Sequence, residues 1–449
     1  MTPVGENDPF IPDWAEGLSD EAIRTLHRFE GWGGLRRLAH TVADLLFYYP
    51  LLMAFVWMIG AIIFYLRWEM GRARVTNPPP LASCPPVSIV VPCYNEGDNV
   101  RETIAYALAQ DYPDFEVIAV NDGSTDDTLA ILCELAAANP RLRVVNLATN
   151  QGKAMGLRAA TLLSRGEIII GIDGDSLLAP EATRWMVRHF LQNPRVGAVT
   201  GNPRVRNRST LIGRIQVGEF SAIIGMIKRA HRTYGRIFTV SGVIAAFRKS
   251  ALHDVGYWSP DMVTEDIDIS WKLQLAGWTI RFEPNALCWV LMPETLTGLW
   301  KQRVRWAQGG AEVMLRYSAE IMRFRQRRLW PLYFEYLTSV AWSALIILAA
   351  GVLIARGLAD GQWASLLPRW TSTLLFATCL LQFATSLFID SRYERGNGMA
   401  RYYYWIVWYP LVYWMIGVGT GLTGLYKAIT KPAGQRATWV TLDRGVRAV

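Results

Sequence analysis

The sequence predicts an α/β domain set between membrane-spanning helices, and three observations carry that prediction. Apolar runs of span length lie at Leu45–Leu66, Leu332–Ile354 and Thr371–Ile389; a helix needs ~20 such residues to cross a bilayer. Between Val87 and Tyr317, short apolar runs alternate with helical stretches, and each run ends in a polar turn. Hydrophobic residues make up 51% of the chain while charged residues still make up 19%, which fits a soluble unit flanked by spans better than either alone. At 449 residues the chain is longer than one ordinary domain, so division is expected.

Taken in order, residues 1–44 are polar, with an amphipathic helix predicted over Ser19–His40. They lack a basic start followed by an apolar core, so no cleavable signal is expected. Arg67, Arg72 and Arg74 follow the first span (45–66) at once, while acids precede it. The positive-inside rule therefore puts the following domain in the cytosol, beside a membrane that the chain crosses several times. Residues 76–86, TNPPPLASCPP, form a stiff linker. VSIVVPCYNE, FEVIAVNDGS, LRVVNLATNQGKA and EIIIGIDGDS then read as four strands, each with a turn at its C-terminal end, where open parallel α/β sheets bind ligands. With no G-x-G-x-x-G and no Walker sequence, NAD and ATP are unsupported. Leu211–Arg232 is expected to lie flat on the membrane, and Thr264 to open a helix bearing Asp266 and Asp268. Thr295–Tyr317 is amphipathic. The last apolar stretch, Tyr402–Leu425 within the membrane segments 332–425, holds Pro410 and four glycines and reads as broken or interfacial. The basic tail 427–449 is expected on the cytosolic side.

Composition narrows the partners. The five cysteines are scattered without C-x-x-C or zinc spacing, so neither a disulfide framework nor a zinc site is expected. The net charge of +8 comes without a nucleic-acid signature; anionic lipid and a nucleotide diphosphate are the simpler partners, and no nucleic acid is expected. Nineteen Trp and eighteen Tyr suit membrane interfaces and sugar-binding clefts.

Ile168–Ser176, IIIGIDGDS, organises the rest. A strand buried on both faces breaks into a glycine turn bearing Asp173 and Asp175. Side chains at i and i+2 of an extended chain point the same way, and hard oxygen ligands on a short turn suit Mg²⁺ or Mn²⁺ held against a diphosphate. Alone, such a pair is usually two solvated acids. Here it stands in series with Tyr94-Asn95-Glu96, Asp122-Gly123-Ser124, Thr264-Glu265-Asp266 and Gln302-Arg303-Val304-Arg305-Trp306.

That series resembles the processive inverting members of glycosyltransferase family 2. NDGSTDDT, NQGKA, TVSGVIAAFRKSAL, MVTEDIDISWKLQL and LCWVLMPETLTGLWKQRVRWAQGGAEV are similar to its poly-β-1,6-N-acetyl-D-glucosamine-forming branch. The resemblance implies a cytosolic GT-A domain over 87–317, inserted between transmembrane helices of a bacterial inner membrane. It also implies UDP-N-acetylglucosamine (UDP-GlcNAc) as donor and a growing β-1,6-linked biofilm exopolysaccharide as product. Pro92, Tyr94, Glu96 and Asp122 would then hold uracil and ribose, Lys153 would contact the donor, and Asp173 would lie nearer the nucleotide. Asp175 would be the metal ligand, and Gln302 and Arg305 would meet the diphosphate. Trp306 would stack on the acceptor sugar, Glu265 would shape its pocket, Asp268 would cap or orient, and Asp266 would be the general base. Arg436, Trp439 and Arg444 resemble a loop that closes over the site. A small two-span membrane partner and activation by cyclic di-GMP are further implications. Chitin, cellulose and hyaluronan synthesis, and single-sugar transfer to a lipid phosphate, are the alternatives the motifs leave open.

Overall fold

A computed structural model of the chain describes residues 33–71, 75–360, 370–394, 398–405, 414–432 and 434–439. Arg72, Arg74, Pro410 and Arg444, and most of the helix predicted over Ser19–His40, lie outside those residues. Helix α1 (Gly33–Phe64) runs on through a π-turn at Tyr65–Glu69. Within this stretch lies the first of three helices, among the described residues, long and apolar enough to span a membrane, Thr41–Glu69; the others are Trp330–Ala359 and Ser372–Asp390.

The four predicted strands form β1 (Val87–Cys93), β2 (Phe115–Asp122), β3 (Leu142–Leu147) and β4 (Ile168–Ile172). They pair in parallel in the order β3-β2-β1-β4. Alternate side chains serve opposite faces, as a period of two requires: Ile89 and Val91 enter one core cluster and Val90 the other. The crossovers are α2 (Val100–Leu108), α3 (Thr128–Ala138) and α4 (Lys153–Leu163). Beyond β4 the sheet is mixed, running on through β7 (Ile244–Arg248), β6 (Val196–Val205), β8 (Thr279–Val290) and β5 (Leu177–Leu178). Strand β7 is antiparallel to both its neighbours, and β6 is parallel to β8. Helix α5 (Ala182–Gln192) connects β5 to β6.

The segment expected to lie flat on the membrane folds differently. It forms α6 (Leu211–Glu219), a π-turn and α7 (Met226–Tyr234), wedged between the sheet and the spans. Gln216 donates to the Pro293 carbonyl at 2.7 Å and Gln382 to the Ala222 carbonyl at 3.2 Å. Small residues permit the approach; a Cβ on Gly60 would meet Ala230 at 2.8 Å. After α7 come α8 (Lys249–Asp254), α9 (Glu265–Leu275) and α10 (Leu296–Ile321). The second and third span-length helices are α11 (Trp330–Asp360) and α12 (Trp370–Asp390).

A buried ion network ties domain to spans. Arg229 of α7 pairs with Glu69 at 2.7 Å and with Asp390 of α12 at 2.8 Å. Arg204 of β6 pairs with Asp390 at 2.9 Å, and Arg208 with Glu394 at 2.8 Å. Beyond α13 (Ala400–Tyr403), α14 (Trp414–Thr430) packs along α10, where a Cβ on Gly424 would meet that of Ala307 at 2.6 Å.

Candidate active site

The site is built on the C-terminal ends of β1, β2 and β4, where the chain must turn. Asn95 takes the left-handed backbone at φ +54°, a conformation its short amide side chain tolerates. Its Oδ1 accepts from the Thr125 N–H at 2.9 Å and its own N–H donates to Ser124 Oγ at 3.0 Å. The next N–H, of Glu96, donates to Thr128 Oγ1 at 2.8 Å, so the first two turns are fastened together. Pro92 and Glu96 pack on the D-x-D turn: a Cβ on Gly174 would lie 2.9 Å from Glu96 Cγ and 3.2 Å from the Pro92 carbonyl oxygen. Tyr94 stands half-buried between them in sequence.

Asp122 is wholly buried and accepts the backbone N–H groups of Gln151 and Gly152, both at 2.8 Å. Burial raises its carboxyl pKa, and those two donors only partly offset the rise. It thus fixes the turn that starts α4 and presents Lys153. The Lys153 ammonium lies 2.6 Å from Asp173 and 2.8 Å from Glu265, and donates to the Gly242 carbonyl at 3.0 Å. Burial works against its charge, but Asp173, Glu265 and Asp266 together hold its pKa above the ordinary range.

Helix α9 begins as expected, with Thr264 at its N-cap. Asp266 accepts from the Gly242 N–H at 3.1 Å and from the Ile267 N–H at 3.0 Å. Burial, then the neighbouring Glu265 charge, push its carboxyl up to about 6 against the pull of Lys153 and Arg305. Glu265 goes the other way: although burial opposes its charge, Lys153 and Arg305 lower its pKa. Two adjacent carboxylates are thereby split, one held ionised and one poised nearer neutrality, a pairing that suits proton transfer. Asp268 is fully buried and accepts from the Tyr317 hydroxyl at 2.8 Å and the Ser259 N–H at 3.3 Å, an orienting position.

A cavity of about 670 Å³ gathers Lys153, Asp173, Asp175, Glu265 and Asp266 with Gln302, Arg305 and Trp306 from α10. Gln302 Oε1 and Thr264 Oγ1 are buried there without a partner among the described residues, as befits groups awaiting a polar ligand. The donor set fits a divalent cation: Asp175, with Asp173 beside it, offers carboxylate oxygens on a short turn, and Mg²⁺-type ions are usually held by one or two carboxylates plus phosphate. Among the described residues no cluster of three or more ligating side chains exists, so an ion there would depend on the substrate for its remaining ligands.

The tail closes one side of this cavity. Gln435–Trp439 line it, with Arg436 Nη1 donating to Gln151 Oε1 at 2.6 Å. Asn150 brackets Trp439, donating to its carbonyl at 3.0 Å and accepting its N–H at 3.2 Å. Several participants carry no signal in sequence spacing. Arg303, 4.3 Å from the Trp306 ring centroid and ion-paired to Glu219 at 2.7 Å, steadies that indole. Lys228 reaches in from α7 to Ser241 Oγ at 2.5 Å and Thr200 Oγ1 at 3.2 Å, and burial pushes its pKa down to about 7.

Fold and site define a GT-A glycosyltransferase, and the chain belongs to the glycosyltransferase like family 2, whose family model matches residues 85–309. A poly-β-1,6-N-acetyl-D-glucosamine synthase of Staphylococcus epidermidis is 39% identical over 410 residues, 90% of this chain and 98% of that protein. A Staphylococcus aureus protein of the same name is 40% identical over the same shares. The resemblance seen in the motifs is borne out. Among solved structures, a mannosyltransferase from Pyrobaculum calidifontis in complex with GDP-Man and Mn²⁺ matches with a TM-score of 0.60 at 21% identity. That match covers 88% of this chain and 98% of that one, and it speaks to the fold.

Proposed function

We propose that the protein is a membrane-embedded processive synthase that transfers N-acetylglucosamine from UDP-GlcNAc, with inversion, onto a growing β-1,6-linked polymer and helps export it as biofilm exopolysaccharide. The observation that carries the reading is the single cavity holding the D-x-D turn, Asp266 and the Gln302–Trp306 motif together, in a chain collinear with synthases of that polymer. Asp266 takes the proton of the acceptor hydroxyl as it attacks the anomeric carbon from the face opposite UDP. Lys153 and Arg305 stabilise negative charge growing on the departing diphosphate. Asp175 would hold Mg²⁺ or Mn²⁺, which would supply further charge neutralisation when bound, with Asp173 nearer the nucleotide and paired to Lys153. Pro92, Tyr94, Glu96 and Asp122 form the nucleoside end of the donor site, and Gln302 points its free amide oxygen at the donor. Trp306 is the stacking platform for the acceptor.

The reading places the catalytic domain on the cytosolic face of a bacterial inner membrane. With three candidate spans among the described residues and a tail seated on the catalytic cavity, the reading keeps 398–405 and 414–430 on that face. Trp414–Thr430 packs on α10 and is shorter than the three span helices. In this arrangement Arg436 and Trp439 form a gate over bound donor. Three candidate spans among the described residues make a narrow wall for a polymer duct, so the reading includes a small two-span partner subunit, with cyclic di-GMP as activator.

The test is incorporation of radiolabelled UDP-GlcNAc by membranes containing the protein, with and without partner and cyclic di-GMP. The expected product is a long polymer, resolved by size on a gel and digested by a β-1,6-N-acetylglucosaminidase. Only a short lipid-linked product, or turnover with a different UDP-sugar alone, would reject the reading.

A further inference from the structure

A second cavity, of about 510 Å³, lies on the other side of the ion network, where α1 and α12 meet the domain. Phe64, Trp68 and Glu69 at the end of the first span contribute to it, as does Arg392, two residues past the third. It therefore sits at the level where two spans leave the bilayer. Four arginines line it: Arg188 of α5, Arg232 of α7, Arg281 of β8 and Arg392. The acids in its wall are already engaged, Glu69 by Arg229 at 2.7 Å and Glu283 by His189 at 2.9 Å. Arg392 donates to the Glu69 carbonyl at 2.6 Å and Arg232 lies 5.5 Å from the Trp68 ring centroid. Among the described residues, Arg188, Arg232 and Arg281 have no carboxylate within ion-pair distance. Burial lowers the Arg281 pKa, consistent with a cation lacking a counter-charge.

Converging, half-buried guanidiniums without acids are unfavourable unless an anion joins them, and guanidinium forks match phosphate oxygens. The same helix exposes Ile62, Ile63, Leu66 and Met70 within two turns of Phe64 and Trp68. A phosphate site beside an apolar, bilayer-facing surface suits an amphiphile better than a free anion. We propose that this cavity binds the phosphate of an anionic phospholipid headgroup, seating the catalytic domain at the membrane surface.

The experiment uses the purified full-length protein in neutral detergent, read by native mass spectrometry and by thermal unfolding. The probes are phosphatidylglycerol, phosphatidylcholine and inorganic phosphate. Phosphatidylglycerol is expected to bind roughly tenfold more tightly than phosphatidylcholine and to raise the melting temperature, while inorganic phosphate does neither. Arg188→Gln and Arg281→Gln, tested singly, are each expected to weaken phosphatidylglycerol binding roughly tenfold. The double change Arg325→Gln with Arg327→Gln, on the exposed loop before the second span, leaves it unchanged. Equal binding of both lipids, or an equal loss in the loop variant, would overturn the proposal, as would full stabilisation by inorganic phosphate. The wild-type comparison decides even where a variant fails to fold.

Discussion

At the scale of single residues, the site works by giving neighbouring acids different environments. Asp266 is pushed up to about 6 by burial and by Glu265, and in the proposed mechanism it acts as a base only when ionised. The kcat/KM for polymerisation is therefore predicted to rise with pH through about 6 and to fall roughly tenfold per unit below it. Glu265→Gln removes the charge that raises Asp266, so the acid limb should move to lower pH; a pH–rate profile of the two proteins checks both statements. An unmoved limb would mean that Glu265 does not face the base. The series of motifs at strand ends and a helix start, with the family resemblance it carries, pointed to Asp266, Asp173 and Asp175, and the structure brings all three to one cavity. The motifs could not show that Lys153 bridges Asp173 and Glu265, nor that Lys228 enters from a helix beside the first span, since both depend on packing between distant segments.

At the scale of elements, close approach is enforced by glycine. Gly152 has φ +87°, and a Cβ there would lie 2.1 Å from the Ala437 carbonyl oxygen of the tail. Gly152→Ala is predicted to unseat the tail and lower kcat/KM at least roughly tenfold, with a local stability cost of about 1–3 kcal/mol. In a chain truncated after Lys431 the same change should cost no further activity, a non-additivity that a double-mutant cycle reads directly. Gly309→Ala should also inactivate, because its Cβ would overlap Thr264 Oγ1 and displace the start of α9; loss of turnover with a lowered melting temperature is expected. The parallel half of the sheet was legible from its apolar runs. The antiparallel β7 and the wedge of α6 and α7 were not, because a short apolar segment rich in small residues reads equally well as membrane-surface helix or buried connector.

At the scale of the whole molecule, the domain is locked to the span-length helices by charge in a buried interface. Arg229, Arg204, Glu69 and Asp390 are all buried, so removing one leaves its partners uncompensated. Arg229→Leu is predicted to destabilise the protein by about 3–5 kcal/mol, measured as a fall in melting temperature in detergent. Hydropathy pointed to three apolar stretches, and the structure forms each as a helix long enough to cross a membrane. The placement of the tail over the cavity had to come from the structure, because hydrogen bonds such as those of Asn150 to Trp439 join residues 289 positions apart. The central claim is that the cavity holding Asp266 carries out polymer-forming transfer from UDP-GlcNAc. Its most direct test is polymer formation from labelled donor by the wild type and by Asp266→Asn, with UDP binding measured in parallel. The account predicts unchanged UDP binding and a loss of turnover of at least roughly 100-fold in the variant. Polymer made by Asp266→Asn at near the wild-type rate would contradict it.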